Sequence, residues 1–117
     1  MKKTLLVIDT NIQVLKIFEM VLKDSMISVF TQQDLKNHLY LITDLNPQIV
    51  IFDSFCFDLD FQDELFQLPQ SKDILWIGMI KSEDSILTLN PMVKNFIKKP
   101  INVGQLKIQV EQLFEGL

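Results

Sequence analysis

Five short apolar runs, each five or six residues long and separated by amphipathic stretches, constrain this chain most. They cover residues 4–9, 26–30, 48–53, 74–79 and 93–97. Each is too short for a typical helix and lacks the alternation of a half-wet strand, so each reads as a strand buried on both faces. Between them, residues 11–23 carry Ile12, Leu15, Phe18, Val21 and Leu22 at helical spacing. Thr31, with Asp34 three residues on, reads as the start of a second helix whose inner face is Leu35, Leu39 and Ile42, and Pro47 closes that connection. Phe61, Leu65 and Leu68 suit a short third helix stopped by Pro69, and residues 82–89 suit a short helix or turn. Asn102 reads as the cap of a last helix with Val103, Leu106, Val110, Leu113 and Leu117 on one stripe.

Five strands alternating with about five helices imply an α/β fold, a doubly wound parallel sheet with helices on both faces. At 117 residues the chain reads as one domain, residues 1–117, and the flavodoxin-like strand order 2-1-3-4-5 is the usual solution. Ligands in such sheets bind beyond the carboxyl ends of the strands, where strands 1 and 3 diverge.

Charge and composition exclude several function classes. All 11 basic residues are lysine and the net charge is −4. Without arginine there is no bidentate fork for guanine or phosphate, and without a basic excess nucleic acid is not an expected partner. No apolar run approaches the roughly 20 residues a membrane helix needs. The basic start is followed by too short an apolar stretch for a signal peptide. A lone cysteine, Cys56, fits a reducing compartment, so the expected location is the cytoplasm. No nucleophile–base pair of a hydrolase is evident, and Thr10-Asn11-Ile12 lacks the glycines of a flavin phosphate cradle, so the chain does not read as an enzyme.

Three polar residues stand at strand carboxyl ends: Asp9, Asp53 and Lys99. Two carboxylates and a lysine at one crevice suit Mg²⁺ plus phosphate, with one acid able to attack phosphorus and the lysine balancing the added charge. The plainer readings are a cap of the next helix for Asp53, a turn acid for Asp9 and a solvated pair with Lys98 for Lys99. The acids Asp58, Asp60, Asp63 and Glu64 lack EF-hand spacing and read as a solvated helix start. His38 reads as an ordinary helix residue, and Cys56, with no basic neighbour in sequence, as packing. Phe55 and Phe57 read as core or as an apolar lid over the crevice.

The segments Leu6-Val7-Ile8-Asp9, Ile49-Val50-Ile51-Phe52-Asp53 and Phe96-Ile97-Lys98-Lys99-Pro100, in this order, resemble a response-regulator receiver domain over nearly the whole chain. The resemblance implies a phosphorelay receiver of two-component signal transduction. In it Asp53 would be the phosphoacceptor, Asp9 and Asp53 the metal ligands for Mg²⁺, and Lys99 the phosphate-contacting residue. Phe96 would be the aromatic switch and Pro100 would follow a cis bond. Implied partners are a sensor histidine kinase or phosphotransfer protein and another protein bound at the face of helix 4, strand 5 and helix 5, where homodimers also form.

The departures point the other way. Thr10 stands in place of the second acid, so Mg²⁺ would be held weakly. The strand 4 hydroxyl position falls on Gly78 or Met79, and the usual Met-Pro turn after the phosphoacceptor is Ser54-Phe55-Cys56-Phe57. Only 46 residues separate Asp53 from Lys99, fewer than the family usually has. These departures support a second reading, a phosphorylation-independent pseudo-receiver that acts as a protein–protein interaction module.

Overall fold

The computed structural model describes residues 2–117, and at residue 84 the backbone alone. Five parallel strands, β1 (Lys3–Ile8), β2 (Ile27–Gln32), β3 (Ile49–Asp53), β4 (Leu75–Ile80) and β5 (Asn95–Lys98), form one sheet in the order β2-β1-β3-β4-β5. Four α-helices connect and close it: α1 (Ile12–Leu22), α2 (Tyr40–Leu45), α3 (Leu59–Phe66) and α4 (Val103–Glu115). The expected α/β architecture and strand order are therefore present.

Strand alternation sorts the core into two layers. Leu5, Val7, Ile49, Ile51, Ile77, Met79 and Ile97 pack against Leu15, Phe18 and Leu22 of α1 and Leu106, Val110 and Phe114 of α4. The intervening residues Leu6, Ile8, Val50, Phe52, Trp76 and Ile80 pack against Ile42 of α2, Phe61 and Leu65 of α3, and Leu89 and Val93. Both faces of β1 and β3 are dry, which is why those strands read as continuous apolar runs. Each large side chain removed from water in this way contributes roughly 1.5–3 kcal/mol. Trp76 satisfies its indole by donating to the Ser71 carbonyl at 3.0 Å.

Several local expectations are corrected. Thr31 does not start a helix: β2 continues through it to Gln32, paired with Val7 and Ile8 of β1, and its hydroxyl donates to Glu19 Oε1 at 2.7 Å. Sheet pairing overrides the capping signal there. Asp34 instead holds a turn, accepting from the Lys36 amide at 2.9 Å, a local bond that competes with helix. Leu35 is fully buried without being helical, and α2 is only the six residues Tyr40–Leu45, ended by Asn46 in the left-handed conformation. His38 precedes that helix, its Nδ1 3.0 Å from the Asp34 carbonyl, and so is a turn residue.

Pro69 stops no helix: it opens a 3₁₀ turn over Pro69–Asp73, where its missing N–H costs nothing. The short helix or turn expected over residues 82–89 is a 3₁₀ turn over Glu83–Thr88. Gly78 lets this short connection lie close, since a Cβ there would sit 2.8 Å from Leu89 Cδ1. Asn102 is the N-cap residue of α4 by position, but its side chain makes no capping bond. Val103 and Leu117 are exposed; the buried stripe is Leu106, Val110 and Phe114. Ile12, likewise, is exposed while Val14 faces the core.

One buried polar side chain ties the shortened connection to α3. Gln62 is fully buried, and its amide donates to the carbonyls of Phe57 (3.2 Å) and Thr88 (2.9 Å) and accepts from the Asn90 amide at 2.7 Å. Gln62→Leu orphans these three backbone groups. A loss of about 2–3 kcal/mol in urea unfolding is expected.

Candidate functional site

Asp9, Asp53 and Lys99 each follow an inward residue of the α1/α4 layer, Val7, Ile51 and Ile97, by two positions. The period of two therefore places all three side chains on the same face, Asp53 as the last residue of β3 and Asp9 and Lys99 just past the ends of β1 and β5. β1 and β3 are hydrogen-bonded neighbours, so the two acids are adjacent, and the lysine reaches them from β5 across β4. Lys99 Nζ lies 2.8 Å from Asp9 Oδ2 and 3.0 Å from Asp53 Oδ1. Asp9 is 1% exposed and Asp53 7%.

The helix-cap reading of Asp53 does not hold, because α3 is capped by Asp58, whose carboxylate accepts from the Phe61 amide at 2.8 Å. Asp9 does double duty, its Oδ1 accepting from the Asn11 amide at 2.9 Å while Oδ2 takes the lysine. Lys98 is exposed and points to the opposite face.

The three groups share a cleft of about 560 Å³ with Thr10, Val14 and Lys81. Thr10 is exposed. β4 runs to Ile80, one residue past its expected end, and none of Gly78, Met79 and Ile80 carries a hydroxyl. The two aromatics after Asp53 divide: Phe57 is buried against Phe52 at 5.1 Å between ring centroids, whereas Phe55 is exposed at the rim with Lys81 Nζ 5.8 Å over its ring. Phe96 is on β5, a sheet edge, and about a third exposed. The Lys99–Pro100 peptide is cis.

Burial favours the neutral amine of Lys99, but its hydrogen bond to Asp9 and the charge of Asp53 outweigh this and hold its pKa above the usual lysine value. A raised folded-state pKa stabilises the fold fully below the unfolded value of about 10.4, and the gain is lost as pH rises through the folded value. The stability gap between the native chain and Lys99→Met is accordingly expected to be full near about pH 8 and to close above about pH 10.4, read from urea titrations across that window.

Asp53 Oδ1 is buried, and the contact recorded for it is the Lys99 ammonium at 3.0 Å. Two adjacent buried carboxylates facing a single ammonium have lone pairs to spare for a cation, and Mg²⁺ takes one or two carboxylates with water in its other positions. The residues present therefore fit that ion.

Sequence reasoning missed Cys56. The turn closed by the Cys56 amide on the Asp53 carbonyl, 3.0 Å, swings its side chain back under the acids. Cys56 Sγ and one carboxylate oxygen each of Asp9 and Asp53 lie within 4.8 Å of one another. Burial raises the thiol pKa to about 11, with the Asp53 and Asp9 charges adding to it. Only the turn geometry brings it there, and no residue type in Ser54-Phe55-Cys56-Phe57 announces it.

No protein-family model and no curated protein matches the sequence. Solved structures do match. A response regulator from Desulfuromonas acetoxidans is 16% identical with a TM-score of 0.79, covering 98% of both chains. The chemotaxis response regulator CheY4 of Vibrio cholerae is 15% identical with a TM-score of 0.81, covering 96% of this chain and 98% of its own. A response regulator receiver modulated diguanylate cyclase from Pelobacter carbinolicus is 21% identical with a TM-score of 0.76, covering 97% and 93%. The likeness is one of fold.

Proposed function

With the fold of response-regulator receiver domains as premise, we propose that this chain is a receiver in two-component signalling whose phosphoacceptor is Asp53. The observation that carries the reading is the meeting of Lys99 Nζ with both carboxylates at the β1/β3 switch point. The donor is a phosphohistidine on a sensor kinase or phosphotransfer protein. An Asp53 carboxylate oxygen attacks phosphorus, the P–N bond breaks, and the imidazole leaves with a proton from solvent. Lys99 turns its charge from the acids to the added phosphoryl oxygens, and the dry walls of the cleft strengthen that contact. Asp9 and Asp53 would hold Mg²⁺, which would supply neutralisation of phosphoryl charge, and Thr10 in place of a second acid would leave that hold weak.

The signal follows from Lys99 standing directly after β5. Pulling it toward Asp53 moves the edge strand that carries Phe96, so the face of the Glu83–Thr88 connection, β5 and α4 is the one a downstream protein or a second copy would read. No described helix is long and apolar enough to cross a membrane, and the reading places the chain in the cytoplasm with its kinase. No reaction on a separate substrate is assigned.

A second reading, a pseudo-receiver that binds a partner without covalent chemistry, is favoured by the exposed, uncharged Thr10 and by the absence of a hydroxyl at positions 78–80. Incubation with acetyl phosphate and Mg²⁺, followed by intact mass, separates them. The receiver reading predicts one added phosphoryl group, labile to hydroxylamine; no addition at saturating Mg²⁺ leaves the interaction module.

A further inference from the structure

The sheet has two edges, and the chain treats them differently. β5 is four residues long, is flanked by Lys94, Lys98 and Lys99, and runs into Pro100. Short length, lysine and proline are the devices that keep an edge from pairing with another chain. β2 has none of them. It is six residues long, and its pairing with β1 is one-to-one from Ile27 to Gln32, so no bulge interrupts it. From Ser25 to Gln33 there is neither a charge nor a proline. The Gln32 carbonyl accepts from the Asp9 amide, so Ser28, Phe30 and Gln32 direct their backbone groups to β1. Val29 and Thr31 then direct theirs away from the sheet, where none of the described backbone bonds takes them. Phe30, on the opposite face from the core-packed Val29, is 38% exposed.

We infer that β2 is a pairing edge whose occupant is β2 of a second copy of this chain, joined antiparallel about a two-fold axis at Phe30 into one continuous sheet. The strand is complementary to itself in that register. Val29 of each copy stands opposite Thr31 of the other, and the two exchange both backbone bonds. The two Phe30 residues form the non-hydrogen-bonded pair on the axis, about 4.5 Å apart at Cα, where side chains are closest. Aromatic pairs across strands stabilise a sheet, and like charges directly opposite destabilise it. At a net charge of −4, repulsion is the main obstacle to joining two copies, and this strand avoids it. The groove between α1 and β2 carries Lys16 and Glu19, one charge of each sign, so the flank presents no single-sign field either. The surface is at the opposite edge from β5 and requires no phosphorylation.

The test is sedimentation of the full, unphosphorylated chain over a range of concentrations up to millimolar. The expected result is a mass that rises from 13.6 kDa toward twice that value. Phe30→Lys and Phe30→Glu each place like charges on the axis, and either variant alone is expected to stay at the single-chain mass. An equimolar mixture of the two is expected to recover the dimer, because opposite charges then meet on the axis. A variant that had lost its fold would not be rescued by mixing. Amide hydrogen exchange supplies a readout without substitution: the Val29 and Thr31 amides slow as concentration rises, while that of Phe30, already directed to β1, keeps its rate. A native chain that keeps the single-chain mass throughout overturns the proposal, and leaves the edge to a strand of some other protein. So does a dimer that survives in Phe30→Glu, which would be joined elsewhere, or a mixture of the two variants that stays monomeric. Phosphoryl uptake is a separate readout, so either reading can fail without the other.

Discussion

Asp53→Asn is expected to abolish phosphoryl uptake from acetyl phosphate, to below about one hundredth of the native extent, while the chain stays folded. An amide has the shape of the carboxylate but neither its negative charge nor a nucleophilic oxygen. The loss would be one of chemistry, not of structure. Lys99 keeps its 2.8 Å hydrogen bond to Asp9, so the lysine is still held in the cleft. The recorded contact of Asp53 Oδ1 is the Lys99 side chain, so no backbone donor or acceptor is orphaned by the change. Asp9→Asn should behave differently. It leaves the nucleophile in place and removes the hydrogen-bonded half of the lysine's ion pair, so uptake should persist with a higher Mg²⁺ requirement. Intact mass of the two variants side by side separates the acceptor from its neighbour. Equal uptake by Asp53→Asn and native chain would move the acceptor elsewhere.

Phe52→Ala is expected to cost about 3–5 kcal/mol, the largest effect of a single core substitution here. Phe52 is fully buried in the α2/α3 layer. It stacks on Phe57 with centroids 5.1 Å apart and meets the edge of Trp76 at 6.2 Å. Removing the ring forfeits the transfer energy of the buried surface, leaves a cavity that rigid strand neighbours fill poorly, and breaks two aromatic pairs. For a chain of this size, the midpoint of thermal unfolding should fall by roughly 12–20 °C. Phe52→Leu keeps most of the volume and should cost clearly less. Phe52 precedes Asp53 and Phe57 follows it, so the stack also fixes the turn in which Ser54, Phe55 and Cys56 lie.

The central strands were legible because a parallel strand buried on both faces has to be apolar throughout, and no helix of that length would be. β1, β3 and β4 fall within one residue of their expected bounds. β2, an edge strand, was legible only as far as Phe30: Thr31 and Gln32 are held by pairing to β1 that no local signal carries. For the same reason Thr31 and Asp34 read as a capping box on paper, whereas Asp34 holds an Asx turn in the fold.

The meeting of three polar side chains at strand ends was legible for a geometric reason. A period of two fixes which face a residue joins once the strand is placed, and Asp9, Asp53 and Lys99 follow from it. Cys56 was not legible, because its direction depends on a turn whose sequence has neither glycine nor proline to define it. Side-chain caps were the least legible feature. Asp58 caps α3 through its carboxylate, whereas Asn102, an equally good candidate, makes no such bond.

The most direct test of the central claim, that Asp9, Asp53 and Lys99 form a working phosphoacceptor site, is amide NMR of the chain titrated with beryllofluoride and Mg²⁺. Beryllofluoride stands in for the phosphoryl group on an aspartate. The account predicts saturable, Mg²⁺-dependent shifts at Asp9, Thr10, Ser54 and Lys81 around the cleft, spreading to Phe96 and Lys98 on β5, all lost in Asp53→Asn. Spectra that stay unchanged at high Mg²⁺, with the fold intact, would contradict it and leave a module that works through its surface alone.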